Sequence, residues 1–395
     1  MSTQQGALIQ LHARGLQDDI VYGPPGAACM FRAPEITRNT IFSKETREFP
    51  VTLQLGSETV IEIPRHGDLL GDIFLEITVP AVSGTTSLDT WVPDLGFAIL
   101  NRVKFIIDDL IIHDHERLWL DIHHKLTKNP CKNIDAMIGL GPGLPMNVSH
   151  VLVIPMRFFF CKSNRPRQVF LPIVQLFHAK MNIKITLEKS SNLTSYTRNL
   201  PTTFETRVLC DYVTIDAPER ERMLRAPETI MFDSVQDCES LSHRVDNDPN
   251  GGGLVALESV RVDLSEINAP VKYLAWVTYR SGDPYFTYTA DISESTVRVN
   301  GRELAKLRNN AFWRLPHVYA RGGTVDPASG IGVFSFALDT GAYQPSGHLN
   351  FDHIPTPDLV AVMKTRRTDV TVKVFAVTYK WLSFAGGGKA SLKFV

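Results

Sequence analysis

The clearest signal in the chain is a period of two. Ile73, Leu75, Ile77 and Val79 alternate with Asp72, Phe74, Glu76 and Thr78 until Pro80 ends the run. Met181, Ile183, Ile185 and Leu187 alternate in the same way with Asn182, Lys184, Thr186 and Glu188. Successive side chains of a strand point to opposite faces, so each run predicts a strand in a sheet with one buried face. Less regular runs predict strands starting at Thr46 and over residues 151–161, 208–215, 260–264, 273–279 and 333–338, with an extended segment at 348–354. A long last strand is predicted over 370–384, where Val370, Val372, Val374 and Ala376 alternate with Thr371, Lys373, Phe375 and Val377. Between Val103 to Ile107 and Leu110 to Ile112, Asp108-Asp109 predicts a tight hairpin. Asn300-Gly301, between Val299 and Glu303, predicts another, because both residues tolerate the positive φ such turns require. Helix signals are few. Asp114 is placed to cap a short helix with Trp119, Ile122 and Leu126 on one face. Residues 216–228, DAPERERMLRAPE, are charged, bounded by Pro218 and Pro227, and have room for one more short helix. Strand logic restarts after them, so the domain boundary is placed there. Many short strands in two successive units point to all-β sandwiches rather than an α/β fold.

Composition narrows the function. A chain of 395 residues is long enough for two or three domains, and 44% hydrophobic with 21% charged residues suits a globular protein with a large core. The 41 basic and 42 acidic residues leave a formal charge of -1. A protein that sheathes nucleic acid would carry a basic excess, so direct genome packaging is disfavoured. Cys29, Cys131, Cys161, Cys210 and Cys238 are scattered, odd in number and without a C-x-x-C pair, which predicts free thiols in a reducing compartment. Neither a secretory leader nor a membrane-spanning apolar run is expected. Sequons at Asn147 and Asn192 then carry no expected modification. Residues 6–19, GALIQLHARGLQDD, are followed by Gly23-Pro24-Pro25-Gly26 and read as an arm outside the first packed unit. Gly386-Gly387-Gly388 releases a short tail.

Candidate chemistry is thin. His113, His115, Glu116, His123 and His124 form the one cluster that suggests a metal. A cupin would place a glutamate about four residues after His115, where the chain has Trp119 and Leu120. The zincin pattern fails because Trp119 stands where its second histidine belongs. Polar residues around a hairpin and a short helix are the better reading. Gly139-Leu140-Gly141-Pro142-Gly143 lacks the Lys-Ser or Lys-Thr of a phosphate loop, and no nucleophile elbow occurs. The basic run from Arg157 to Arg167 contains Phe158-Phe159-Phe160 and is expected to be a strand entering a solvated loop, not a nucleic-acid platform. No catalytic, cofactor-binding or metal-binding residue is therefore expected, and no cofactor.

Residues 336–351, FALDTGAYQPSGHLNF, closely resemble the late strand–loop–strand of the major capsid proteins of nucleocytoplasmic large DNA viruses, such as iridoviruses and phycodnaviruses. Further matches follow in family order. Gly6, Ile9-Gln10-Leu11 and Gly15-Leu16-Gln17-Asp18 resemble its opening. Residues 61–80, IEIPRHGDLLGDIFLEITVP, resemble its Arg-x-Gly-Asp-Leu turn and following strand. Residues 91–127 resemble its strand–hairpin–helix unit. The resemblance spans nearly the whole chain. It implies a tandem double jelly roll of two eight-stranded sandwiches, divided as an arm (1–27), first jelly roll (28–216), linker (217–228), second jelly roll (229–385) and tail (386–395). It also implies a structural, non-enzymatic role: homotrimeric, pseudo-hexameric capsomers in the icosahedral shell of a large double-stranded DNA virus, assembled in the host cytoplasm. Expected partners are further copies of the chain, minor capsid and penton proteins, and an inner viral membrane met by the arm, without direct nucleic acid. The chain is short for the family, with little room for long outer insertions. The competing readings are a cupin-like jelly-roll metal enzyme, a carbohydrate-binding module, and a minor capsid or penton protein.

Overall fold

The computed structural model describes residues 40–128, 134–161, 169–196, 200–226, 228–241, 259–280, 282–289, 291–321, 330–364, 370–385 and 388–393. The expected arm, Cys29, Cys131 and residues 162–167 of the basic run lie outside the described residues. Contacts divide the chain into Met1–Ile41 and Phe42–Val395, and the architecture below is that of the second unit. Its first half holds β1 (Phe42–Gln54), β2 (Glu58–Glu62), β3 (Leu69–Val79), β4 (Leu100–Ile107), β5 (Leu110–Glu116), β6 (His150–Pro155), β7 (Leu171–Pro172), β8 (Met181–Leu187) and β9 (Thr203–Ile215). Its second half holds β10 (Thr229–Leu241), β11 (Ser259–Asp263), β12 (Pro270–Arg280), β13 (Ile292–Val299), β14 (Arg302–Glu303) and β15 (Arg308–Asn309). These are followed by β16 (Gly332–Ser335), β17 (Leu349–Asn350), β18 (Pro357–Met363), β19 (Val370–Ala385) and β20 (Lys389–Lys393). Short helices are α1 (Leu95–Ile99), α2 (Arg117–Thr127), α3 (Asp135–Ile138), α4 (Ala217–Arg225), α5 (Asn310–Arg314) and α6 (Pro316–Ala320).

The strand order is the same in both halves. The first pairs β1-β9-β3-β6 in one sheet and β2-β8-β4-β5 in the other; the second pairs β10-β19-β12-β16 and β11-β18-β13-β14. Leaving aside the short additions β7, β15, β17 and β20, each half is eight antiparallel strands in two four-stranded sheets, which is jelly-roll topology used twice. Alternation places the core as predicted. Ile73, Leu75 and Ile77 of β3 and Ile183 and Ile185 of β8 meet in one interior, while their polar neighbours face outward. Burying each such side chain contributes about 1.5–3 kcal/mol. The predicted turns also form. Ile107 pairs with Leu110 across Asp108-Asp109 and Val299 with Arg302 across Asn300-Gly301, with Asp108, Asn300 and Gly301 at positive φ.

Several local expectations are corrected. Strand structure begins at Phe42, not Thr46, because β1 pairs along its whole length with β9. Asp114 does not cap a helix: β5 continues to Glu116, and the Asp114 carboxylate takes a forked pair of bonds from Arg102 (2.6 and 2.8 Å). The ladder to β4 outcompetes the cap, and α2 starts at Arg117 without a side-chain cap. The strand expected over 151–161 stops at Pro155, after which Phe158, Phe159 and Phe160 turn into the core. The strand expected over 333–338 stops at Ser335, because the N–H groups of Phe336 and Ala337 both donate to Lys272 O (3.0 and 3.2 Å) and the chain peels away. Of residues 348–354 only Leu349–Asn350 pairs; a tight turn over Phe351–His353 follows, with the Asn350 side chain accepting from Asp352 N–H (3.1 Å). After Ala385, the expected free tail returns as β20 against β19.

Candidate functional site

The two halves meet along a seam, and the sheet holding β12 and β19 makes it. One face of that sheet carries Leu274, Trp276, Val372 and Val374 into the core of the second sandwich. The other carries Tyr273, Ala275, Val277, Phe375 and Val377 against Trp119 and Ile122 of α2. Both faces are therefore buried, although the alternation over 370–377 is of the kind that one-sided burial produces. Two-sided burial explains why the middle of β12, Tyr273 to Val277, is an unbroken apolar run and not an alternating one. The predicted face of α2 is real, but its partner is the second sandwich rather than its own. Rings carry much of the contact: Trp119 lies 5.5 Å from Phe375, and Phe232 of β10 lies 5.3 Å from His113 and 5.1 Å from Phe159.

Polar groups cross the seam in matched pairs. Lys373, buried on the outer face of β19, reaches Glu116 at the end of β5 (2.7 Å) and Asp237 on β10 (3.0 Å). Burial alone would lower the ammonium pKa, but the bonds and charges of Glu116 and Asp237 outweigh it and hold it above its ordinary value. Arg117 pairs with Glu188 (2.8 Å) and stacks on the Tyr285 ring (4.2 Å). Burial works against the Glu188 carboxylate, yet bonds from Lys189 N–H, Asn192 and Arg117 bring its pKa below the usual value. Asp121 accepts from Lys125 (2.8 Å) and from the Tyr288 hydroxyl (2.5 Å). Burial raises the pKa of both Asp121 and Tyr288. Each seam carboxylate thus faces a cation or a hydroxyl, an arrangement that locks two sandwiches together. The C-terminal hairpin adds a clasp: Ala390 and Leu392 of β20 pack on the first core, and Gly388 O accepts from His178 N–H (3.2 Å). Gly388 has φ 77°, and a Cβ there would come within 2.9 Å of the Phe177 ring.

The histidine cluster is dispersed among these tasks. His113 and His115 lie side by side on β5, rings 5.0 Å apart, and burial brings His115 down to a pKa of about 4. Glu116 is committed to Lys373, His123 packs on Trp119 (5.7 Å), and His124 bonds Asp135 (3.0 Å). Among the described residues no group of His, Cys, Asp and Glu is arranged to hold a metal. Gly139 and Gly143 of the 139–143 stretch serve packing: a Cβ would lie 2.7 Å from the Leu152 side chain at the first and 2.1 Å from Trp91 O at the second. Cys161, Cys210 and Cys238 are free and buried, and burial pushes each thiol up to about 12. Asn147 is exposed, whereas Asn192 donates to Glu188 (2.8 Å) and Thr194 of its sequon is buried.

Residues 30–225 match the family described as major capsid protein N-terminus, and residues 219–380 match the family described as large eukaryotic DNA virus major capsid protein. The chain belongs to the major capsid proteins of large eukaryotic DNA viruses. This capsid protein is 27% identical to the major capsid protein of Pyramimonas orientalis virus, covering 97% of this chain and 98% of that one. To the major capsid protein of Paramecium bursaria Chlorella virus 1 it is 24% identical over 93% and 89% of the two chains. Its fold is that of VP54 of PBCV-1 (TM-score 0.78, 20% identity, 93% of this chain and 100% of that chain). The Faustovirus major capsid protein has the same fold (TM-score 0.70, 10% identity, 95% and 96%). The family is structural, and the seam of the capsid protein is an assembly feature within one chain. Sequence reasoning did not find it. A signal was present in the apolar stretch from Tyr273 to Val277 of β12, which one-sided burial does not require.

Proposed function

We propose that three copies of this capsid protein close into a pseudo-hexagonal capsomer, and that these capsomers tile an icosahedral shell. The observation that carries the reading is the repeated strand order of the two halves. Two similar sandwiches give each copy two similar corners, and a three-fold axis turns three such copies into six corners. The seam supports it, since the corners can only sit at a defined angle if the sandwiches are held rigidly. The proposed division is an arm (1–27), a first jelly roll (28–216), a linker (217–228), a second jelly roll (229–385) and a tail (386–395). Minor capsid and penton proteins bind between and at the vertices of capsomers, the arm faces an inner membrane, and shells form in the host cytoplasm. The near-neutral charge supports the absence of direct nucleic-acid contact.

Light scattering of the purified chain tests the trimer. The expected mass is three times the 44.2 kDa of the chain at micromolar concentration. A folded protein that stays monomeric there refutes the capsomer reading.

A further inference from the structure

Beside the seam lies a cavity of about 60 Å³ whose lining includes His113, His115, Trp119, His123 and Arg157, with Asp233 at its second-sandwich side. Arg157 is the group there without a counter-charge. Lys373, Arg117, Lys125 and Lys272 each have a carboxylate within 3.2 Å. Among the described residues Arg157 has none: its polar contact is a 3.4 Å approach of Nη2 to His124 Nδ1. Its Nε is shut off from solvent and has no hydrogen-bond partner. A guanidinium does not lose its proton in a protein, so the charge of this half-buried side chain stays in place and is met either by solvent or by an anion.

The histidines do not compensate it. His113 Nε2 accepts from Phe159 N–H (3.1 Å), which leaves its proton on Nδ1 as a donor. His115 is held neutral by its burial, and Arg157 adds to the effect. Asp233 is engaged by Lys272 (3.2 Å). The cavity therefore presents one fixed positive charge beside the rings of His113 and His115, and aromatic rings whose edges are electropositive.

We infer that this cavity binds one small monovalent anion of halide size, held by the Arg157 guanidinium and the imidazoles of β5. Size excludes a nucleotide or sugar phosphate. A dianion would leave net negative charge beside Asp233, whereas a monoanion neutralises Arg157. The anion would act as a structural counter-ion at the joint between the sandwiches, independently of how many copies assemble.

The test uses bromide, which is visible by anomalous scattering, against gluconate, which is too large to enter. Bromide-soaked crystals of the full chain should show an anomalous peak within contact distance of Arg157. At constant ionic strength and neutral pH, replacing gluconate by bromide should raise Tm saturably, by about 2 °C at ten times the dissociation constant. Arg157→Gln, or Arg157→Met if the first does not fold, should lose both effects. Absence of the peak in wild-type crystals overturns the proposal, as does an equal Tm shift in the variant. A peak without a saturable shift in solution means binding at crystal concentration only, and overturns it too.

Discussion

Buried ionisable side chains at the seam make stability depend on pH in a definite direction. His115 is buried between His113 and Phe158, and its pKa in the fold, about 4, lies below the ordinary 6.5. The unfolded chain then binds more protons than the folded one between these values, so stability is full above about 6.5 and falls as pH drops towards 4. The maximum loss from this residue is on the order of 3 kcal/mol. His317, which accepts from Ser335 N–H (2.9 Å), is also lowered to about 4, by burial and then by Arg321, and works in the same sense. Thermal unfolding measured between pH 7 and 4.5 should show a smaller decline for His115→Gln than for the wild type. Superimposable pH profiles would refute the assignment.

Among the elements, β20 shows how a strand can matter through what it touches rather than what it contains. Its ladder runs from Trp381↔Lys393 to Ala385↔Lys389, and its inward residues rest on the first sandwich although it follows the last strand of the second. Truncation after Ala385 should cost roughly 1–3 kcal/mol, from the half-buried Leu392 and Ala390 and the lost ladder. The urea midpoint should fall accordingly; an unchanged midpoint would mean that the clasp contributes nothing. α4 has a similar docking role on the first half. Asp216 accepts from Ala217 N–H (2.8 Å) to cap it, and Arg220 forks onto Asp68 (2.7 and 2.8 Å). The residue types of 216–228 predicted the helix, but not the carboxylate that anchors it.

For the whole molecule the open question is which parts serve the fold and which serve assembly. The proposed arm offers few large apolar residues, and burying each gains roughly 1.5–3 kcal/mol against about 1–2 kcal/mol per ordered backbone residue. That balance is near zero, so the arm is proposed to order only on a ready-made surface. Deleting residues 1–22 should leave the trimer mass and Tm nearly unchanged while impairing shell assembly in an expression system. Loss of the trimer would assign the arm to the subunit interface, and normal shells would show it to be dispensable.

What the sequence determined by itself was local or repeated. Alternation at 72–79 and 181–188 specified the strands and their buried faces, because a pleated strand turns every second residue the same way. Asn300-Gly301 specified its turn, because so few residues accept positive φ. Wording at 336–351 carried the family. The tertiary structure alone decided that Asp114 stays in a strand, that Phe158 to Phe160 enter the core, and that both faces of β12 and β19 are covered. It also decided that Lys373 pairs with a carboxylate 257 positions away in the chain. The physical reason is common to all of these. Propensity and periodicity act over a few residues, whereas a second buried face or a buried ion pair exists only once distant segments have been brought together.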